Sequence, residues 1–175
     1  MKKIVSKALQ SAGFSKLLQI QQESISAFSQ GNDVVLLSKT GSGKTLAFLL
    51  PLLHEMNQES KHTVQAVILS PTRELCLQIE KVLKSLKTGL KVTTCYGGHP
   101  MRIEKNSLRE TPTVIIATPG RLSDHIRREH VDLSSVSYLV VDEFDKCLEF
   151  GFSDDIYAIY SCLLYTSDAA DEHSW

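Results

Sequence analysis

The feature of the sequence that most constrains the fold is a regular alternation of short apolar runs with segments of helical period. Runs rich in β-branched residues predict buried strands at 33–37, 64–69, 92–96, 113–117 and 138–141. Helical patterns lie between them at 44–56, 73–87, 101–109 and 119–129, and two earlier helices are predicted at 4–12 and 21–30. Because the runs are continuously apolar, both faces of the sheet should be covered by helices. The sequence therefore predicts a three-layer α/β fold with a mainly parallel central sheet.

Composition narrows the class of protein. A length of 175 residues suits one domain, and 42% hydrophobic with 22% charged residues argues against a disordered chain or a coiled coil. The four cysteines, at positions 76, 95, 147 and 162, form no CxxC pair, so neither a zinc site nor a disulfide framework is predicted. The longest apolar stretch, residues 46–53, contains a proline and is too short to span a bilayer. A cytoplasmic protein without a membrane segment or signal peptide is expected.

The formal net charge of -1 is an average of two unlike parts. Residues 1–141 contain 18 Lys and Arg against 11 Asp and Glu, whereas residues 142–175 contain 1 against 9. The larger part is therefore basic, which suits binding to phosphates.

Polar or glycine-bearing segments follow every predicted strand. In parallel sheets, ligands bind beyond the carboxyl ends of the strands, so these segments are the candidate site. They are Ser38 to Thr45, Ser70 to Glu74, Gly97 and Gly98, Thr118 to Arg121, and Asp142 to Asp145.

The first of these segments is a phosphate-binding loop. Gly41 and Gly43 allow the backbone N–H groups to turn inward, and the following helix adds the partial positive charge of its N-terminus. Lys44 is expected to reach the β- and γ-phosphates, and the Thr45 hydroxyl to bind Mg²⁺. The usual pattern begins with glycine, where this chain has Ser38.

An acidic pair, Asp142 and Glu143, follows the last predicted strand. Beside a phosphate loop, a strand-end carboxylate holds Mg²⁺ and an adjacent glutamate can deprotonate the attacking water. Taken alone, the same two acids could simply cap a helix and interact with its dipole.

The ordered set of segments resembles the first RecA-like domain of the DEAD-box ATP-dependent RNA helicases, over about residues 4–160. Residues 38–45 match motif I, residues 71–75 motif Ia, and the glycine pair the GG motif. Residues 118–121 match motif Ib, and residues 142–145 match motif II with phenylalanine in place of the usual alanine. Gln21, in the Q-motif region at about 13–21, resembles the glutamine that reads adenine, since an amide both donates and accepts.

The resemblance implies a set of site residues. ATP and Mg²⁺ are the expected cofactors, and the catalytic residues are Lys44, Asp142 and Glu143. Thr45 and Asp142 are the expected metal ligands. The nucleotide would be bound by Gln21, Ser38, Lys39, Thr40, Gly41, Ser42, Gly43, Lys44 and Thr45. The RNA backbone, bound without sequence preference, would be contacted by Pro71, Thr72, Arg73, Glu74, Gly97, Gly98, Thr118, Pro119, Gly120 and Arg121.

Other polar residues are assigned to ordinary structure. The lysines at 81, 84, 87 and 91 are spaced like a solvated helix face. His99 and His125 are expected to be surface or hydrogen-bonded histidines, because neither lies in a matched motif. Arg73 and Glu74 could also pair with neighbouring side chains, and Thr-Pro-Gly is a common turn.

The resemblance also shows what is missing. Motif III and the second RecA-like domain, with its arginine finger, are not found in the sequence, so residues 1–163 are expected to form only the N-terminal domain. Residues 164–175 do not continue the family pattern, and we expect a truncation or foreign sequence there. Two alternatives to a helicase remain: a non-enzymatic module that binds RNA or a partner, and a DNA-directed helicase of the same superfamily.

Overall fold

The computed structural model describes residues 3–11, 13, 16–39, 41–57 and 63–171, without the side chains of residues 3, 4 and 165–171. Within these residues the elements, in chain order, are α1 (Lys3–Ser11), α2 (Gln19–Phe28), α3 (Lys44–Glu55), β1 (Ala66–Leu69), α4 (Arg73–Ser85), β2 (Val92–Cys95), α5 (Met101–Arg109), β3 (Val114–Ala117), α6 (Pro119–Arg127), β4 (Tyr138–Val141), α7 (Phe144–Glu149) and α8 (Ser153–Asp171). The predicted alternation of strands and helices is thus confirmed from β1 onward.

The strands form one parallel sheet in the order β2-β3-β1-β4. Leu69 at the end of β1 is level with Ala117 on one side and Val141 on the other, and Ala117 is level with Cys95. The carboxyl ends of all four strands therefore lie at the same edge of the sheet. This register brings the segments that follow the strands to a common edge, as the α/β prediction requires.

Burial differs between the central and outer strands. Every residue of β1 and β3 is buried, whereas β2 alternates and all four residues of β4 are half-buried. The prediction of buried strands is therefore wrong for β4, and in β2 it holds for two of the four residues. An outer strand has a neighbour on one side only, so part of its surface remains accessible to solvent.

The chain divides into two compact units, residues 1–58 with 81–89 and residues 59–80 with 90–175. In the first unit, α3 packs against α1 and α2, and all of residues 46–53 are buried, as expected for core packing. In the second unit, the core comprises side chains from the strands, α5, α6 and α8, among them Val67, Leu69, Ile115, Leu122 and Ile159.

The predicted strand at 33–37 is not formed. Residues 32–39 have neither helix nor strand structure, and the side chains of Val35 and Leu37 are 83% and 89% exposed. A strand exists only where a neighbour accepts and donates its backbone hydrogen bonds, and the described ladders join only β1, β2, β3 and β4. The apolar sequence alone was therefore not enough to form a strand.

The last helix, α8, continues to Asp171, so residues 164–171 of the suspected tail are helical and residues 172–175 lie outside the description. Whether the tail is native stays a prediction. Among the described residues, no helix has the length and apolar character needed to cross a membrane.

Candidate functional site

The phosphate loop lies directly before α3. Gly41 and Gly43 have φ values of +81° and +85°, and Gly43 is the N-cap of the helix. These values lie in the left-handed region, where a side chain is disfavoured and glycine is not. The hydroxyls of Ser38 and Ser42 are 2.6 Å apart, closing the turn, while Thr40 lies outside the described residues.

Lys44 and Thr45 form the first turn of α3, and both are half-exposed. They therefore lie at the positive end of a helix of 12 residues, where an anion is stabilised. A Cβ added at Gly41 would meet no atom within 4 Å, so the loop is open on that side. A lysine, a hydroxyl and a helix N-terminus next to open space fit the phosphates of a nucleotide.

Gln21 of α2 contacts the phosphate loop. Its side chain is 4% exposed, and its Nε2 donates to the Gly43 carbonyl oxygen at 3.4 Å. Its Oε1 accepts from the Leu18 N–H at 3.0 Å, which caps α2. A Cβ on Gly43 would lie 2.8 Å from the Gln21 Nε2 and 2.9 Å from the Leu18 Cδ1, so this position requires glycine for space as well as for its φ. The predicted adenine-reading glutamine is thus brought next to the loop. Residues 14 and 15 of the Q-motif region lie outside the described part of the chain.

Motif II begins at the end of β4 in the second unit. The Asp142 N–H donates to the Leu69 carbonyl oxygen at 2.8 Å, which continues the β1–β4 ladder by one bond. Glu143 follows with φ +48°, in the left-handed region, and is the N-cap of α7. Such a backbone costs about 1–2 kcal/mol in a residue other than glycine.

The Glu143 carboxylate is 15% exposed and forms an ion pair with Lys146 one turn later. Hydrogen bonding to Glu143 and its charge raise the pKa of the Lys146 ammonium, so Lys146 stays protonated. Phe144, which replaces the family's alanine, is 52% exposed. Asp142 and Glu143 supply the hard oxygen donors that Mg²⁺ prefers, and the chemistry of the donor set therefore fits this ion.

Motif Ia caps α4. The Thr72 hydroxyl accepts a hydrogen bond from the Leu75 N–H at 3.2 Å, which satisfies a backbone donor in the first turn. Arg73 is exposed, and its guanidinium lies 5.0 Å from the centre of the Tyr96 ring, a cation–π contact. Pro71 is buried and Glu74 is exposed. Motif Ia therefore contacts Tyr96, the residue directly before Gly97 and Gly98.

Motif Ib also contacts Tyr96. The Nε of Arg121 in α6 donates to the Tyr96 carbonyl oxygen at 3.0 Å, and its guanidinium also donates to the His99 carbonyl oxygen. The Thr118 N–H donates to the Cys95 carbonyl oxygen at 3.0 Å. Tyr96 therefore lies where three motifs, separate in sequence, meet in the second unit.

A buried carboxylate holds this meeting point together. Glu104 of α5 is 1% exposed, and its Oε1 accepts from the Tyr96 N–H at 3.0 Å. Burial by itself would raise the pKa of the Glu104 carboxyl. Hydrogen bonds from His125, Tyr96 and His99 and the charge of Arg121 outweigh burial, so the pKa is lowered and the group is ionised at neutral pH.

His125 is completely buried, and its Nε2 lies 2.8 Å from the Glu104 Oε2. Its Nδ1 lies 3.1 Å from the His130 Nδ1, and the His99 Nδ1 lies 3.1 Å from the Glu104 Oε1. The prediction of hydrogen-bonded histidines is confirmed for His99 and His125. A surface position is wrong for His125.

Cys95, Glu104 and His125 also bring three potential metal-ligand atoms within 4.8 Å of one another. The carboxylate is already bound by hydrogen bonds, and the Arg121 Nε lies 3.2 Å from it. Burial raises the pKa of the Cys95 thiol, which keeps it protonated. A guanidinium and a thiol next to one carboxylate do not fit a cation, so we interpret the cluster as a hydrogen-bond network.

Sequence reasoning did not identify Tyr96 or Glu104 as part of the site. A signal for Glu104 exists, because it lies one helical turn before the buried Leu108 and so on the inner face of α5. A charged residue on an inner helix face requires partners. Of the lysines assigned to solvent, Lys91 donates to Glu110 at 2.6 Å.

Comparisons with known proteins identify the family of the chain. Residues 18–171 match the family model described as DEAD/DEAH box helicase. The chain is 39% identical over 165 residues to the DEAD-box ATP-dependent RNA helicase RhpA of Helicobacter pylori, covering 93% of this chain and 33% of that protein. It is 40% identical over 162 residues to the ATP-dependent RNA helicase DeaD of Escherichia coli, covering 91% and 26% respectively. The chain thus spans about a third or less of the length of these relatives.

A solved structure described as a hypothetical ATP-dependent RNA helicase from Sulfolobus tokodaii matches with a TM-score of 0.81 and 34% identity, over 92% of this chain and 47% of that one. The RecA-like α/β fold expected from the sequence is thereby confirmed. With the family model covering most of its residues, and with glycine-bearing and charged motifs at one edge of a parallel sheet, the chain belongs to the DEAD/DEAH box helicase family.

Proposed function

We propose that this chain is the ATP- and RNA-binding domain of an ATP-dependent RNA helicase, which unwinds RNA duplexes together with a second RecA-like domain. The observation that supports this most is the convergence on Tyr96 of motif Ia, through Arg73, and motif Ib, through Arg121. Relatives at 39–40% identity are named ATP-dependent RNA helicases, which supports the same activity. A cytoplasmic location is part of the proposal.

The nucleotide is bound in this proposal by the phosphate loop, residues 38–45, and by Gln21. Lys44 neutralises phosphate charge, and the N-terminus of α3 orients the phosphate oxygens. Thr45 and Asp142 are the metal ligands, and Mg²⁺ supplies further neutralisation of phosphate charge when it is bound. Glu143 accepts a proton from the attacking water, for which its carboxylate must exchange Lys146 for the water.

The RNA backbone is contacted in this proposal by residues of motifs Ia, GG and Ib at the edge of the sheet, apart from Arg121, whose guanidinium donates to carbonyl oxygens of the protein. Arg73 is exposed and can pair with a phosphate, while the glycines permit close approach of the RNA backbone. Because these contacts involve phosphate and sugar rather than bases, binding should be independent of RNA sequence and should weaken steeply with salt.

Nucleotide binding is tested on the isolated chain with a fluorescent ADP analogue and Mg²⁺. We expect Lys44→Ala to abolish binding and Lys81→Ala, the matched control, to leave it unchanged. Lys81 is an exposed lysine outside all motifs, so it removes the same charge without touching the loop. Equal binding by the K44A variant and the unsubstituted chain would contradict the proposed nucleotide site.

Catalysis is tested in the full-length protein encoded at the source locus. We expect Glu143→Gln to abolish unwinding while ATP binding is retained, a result that a non-enzymatic module does not predict. The isolated chain should hydrolyse ATP very slowly, because an arginine finger contributes about 10³–10⁵ in rate in related NTPases. Robust RNA-stimulated turnover by this chain alone would contradict that expectation, and equal affinity for single-stranded DNA would favour a DNA-directed enzyme.

A further inference from the structure

We propose that Glu104 is a positioning residue for RNA binding, which holds the Gly97–Gly98 turn and the start of α6 in one fixed arrangement. The inference rests on the proposed function, since it concerns how the RNA-contacting segments are held. In the same arrangement, the Arg121 guanidinium binds groups of the protein and not a phosphate of the RNA.

The Glu104 carboxylate is surrounded by donors. Its Oε1 accepts from the Tyr96 N–H at 3.0 Å and from the His99 Nδ1 at 3.1 Å. Its Oε2 lies 2.8 Å from the His125 Nε2 and 3.2 Å from the Arg121 Nε. Because hydrogen bonds to an ionised group are stronger than those between neutral groups, and more so when buried, this group strongly favours one arrangement of its neighbours.

The donors come from different segments. Tyr96 directly precedes the Gly97–Gly98 turn and His99 directly follows it, whereas Arg121 and His125 lie one turn apart on α6. One carboxylate therefore binds both ends of the turn and the first half of the helix. Moving either segment requires breaking a charge-assisted bond in a buried place.

Arg121 is largely unavailable to RNA. Its side chain is 15% exposed, and its guanidinium donates to the carbonyl oxygens of Tyr96 and His99 while facing Glu104. The N–H groups of Thr118, Arg121 and Leu122 also donate within the protein. The start of α6, with Gly120 in its first turn, keeps its position through the same contacts.

The network determines the protonation of two histidines. An ionised carboxylate only accepts, so the His125 Nε2 must carry its hydrogen. We therefore expect a hydrogen on the Nε2 of His125 and on the Nδ1 of His99, because each of these nitrogens donates to the Glu104 carboxylate.

The test compares Glu104→Ala with Glu110→Ala in the isolated chain. Each variant removes one negative charge from the region of α5, and Glu110 is an exposed residue paired only with Lys91 among its described contacts. General electrostatics predicts slightly tighter RNA binding for both variants. We expect E110A to follow that rule and E104A to bind a short single-stranded RNA about tenfold more weakly, by fluorescence anisotropy at low salt, a change of about 1.4 kcal/mol.

Glu104→Gln provides a signature that a general loss of structure does not produce. The amide of glutamine keeps one acceptor oxygen and places a donor on the other side, where either the Tyr96 N–H or the Arg121 Nε–H already donates. One bond of the network is therefore lost whichever way the amide is placed, and the imidazole signals of His99 and His125 should change in long-range ¹H–¹⁵N spectra. This variant also serves if E104A does not fold, because a folded E104Q chain with unchanged imidazole signals and unchanged RNA affinity would overturn the inference.

The outcomes separate this inference from the function on which it rests. If the unsubstituted chain binds no RNA, the proposed function fails and the inference fails with it. If the chain binds RNA and a folded E104A variant binds it as tightly as E110A, the inference alone is wrong. Changed imidazole signals in E104Q together with weakened RNA binding in E104A would support it.

Discussion

The segment before the phosphate loop and the strand before motif Ia have similar sequences but different structures. Residues 33–37 read Asp-Val-Val-Leu-Leu and β1 reads Ala-Val-Ile-Leu, and in both a leucine is followed by serine. Leu69, at the end of β1, is completely buried, while Leu37 is 89% exposed. β1 is paired on both sides, with β3 and β4, and no described ladder includes residues 33–37. The comparison teaches that neighbours, and not apolar composition, decide whether such a run becomes a strand.

A similar contrast exists between the motifs that follow these segments. Motifs Ia, GG and Ib are joined by hydrogen bonds and a cation–π contact within the second unit. The phosphate loop in the first unit has a hydroxyl pair and the contact with Gln21 as its described side-chain partners. Motifs Ia, GG and Ib are therefore held by several side-chain contacts. The phosphate loop is held by one hydroxyl pair and by its contact with Gln21.

The largest difference in the free energy of unfolding is expected between alanine substitutions of Leu69 and Leu37. Leu69→Ala leaves a cavity in the core of the second unit and should lower the free energy of unfolding by about 2–5 kcal/mol. Leu37→Ala should change it by less than about 0.5 kcal/mol, because the side chain is already in water. Urea unfolding of both variants measures this, and a comparable loss for L37A would show that residues 33–37 are packed in solution.

The next largest loss of stability is expected for a substitution in the phosphate loop. Gly43→Ala places a Cβ 2.8 Å from the Gln21 Nε2 in addition to the cost of φ +85°, so the free energy of unfolding should fall by about 2–4 kcal/mol. Gly31→Ala is the control, because φ there is +74° and no atom lies within 4 Å of the added Cβ. Its cost should be only the backbone strain, about 1 kcal/mol. Equal losses in the two variants would mean that the loop does not contact Gln21.

A smaller effect is expected in how the free energy of unfolding depends on pH, through the network around Glu104. The lowered pKa of Glu104 means that its carboxylate stabilises the folded chain above the ordinary glutamate pKa, and that this contribution is lost as the pH falls through the lowered folded value. Glu104→Gln should therefore lose less stability than the unsubstituted chain on acidification through that range. Urea midpoints at a series of pH values measure the difference, and parallel curves for the two chains would refute it.

The smallest effect is expected at the surface. The Lys91 Nζ and the Glu110 Oε2 are 2.6 Å apart, but the side chains are 39% and 71% exposed. Solvent screens such a pair, so Glu110→Ala should leave the free energy of unfolding nearly unchanged in a denaturant melt. A clear loss of stability in E110A would mean that the pair is buried instead.

Much of the architecture could be predicted from the sequence. Four of the five strands, the helices between them and the parallel arrangement followed from apolar runs and helical periods, because these patterns record which residues face a core. The segment at 33–37 could not be resolved in this way, since its pattern is indistinguishable from that of β1.

The site was predicted only in part. Glycine-rich and charged motifs were visible because their residue types are unusual after a strand, and the structure brings Gln21 to Gly43 and Arg73 and Arg121 to Tyr96. The roles of these residues in binding ATP, Mg²⁺ and RNA stay predictions. Glu104 was missed because a single glutamate in a charged helix gives no sign of its partners.

The sequence by itself determined the fold class, the family and the identity of the motif residues, because hydrophobic period and motif order are properties of the chain. Only the tertiary structure decided that Leu37 remains exposed, that Arg121 is directed toward the protein, and that Glu104 binds donors from both the Gly97–Gly98 turn region and α6. The physical reason is that burial and hydrogen bonding depend on which segments become neighbours, and these neighbours lie up to 25 residues apart along the chain in the network around Tyr96.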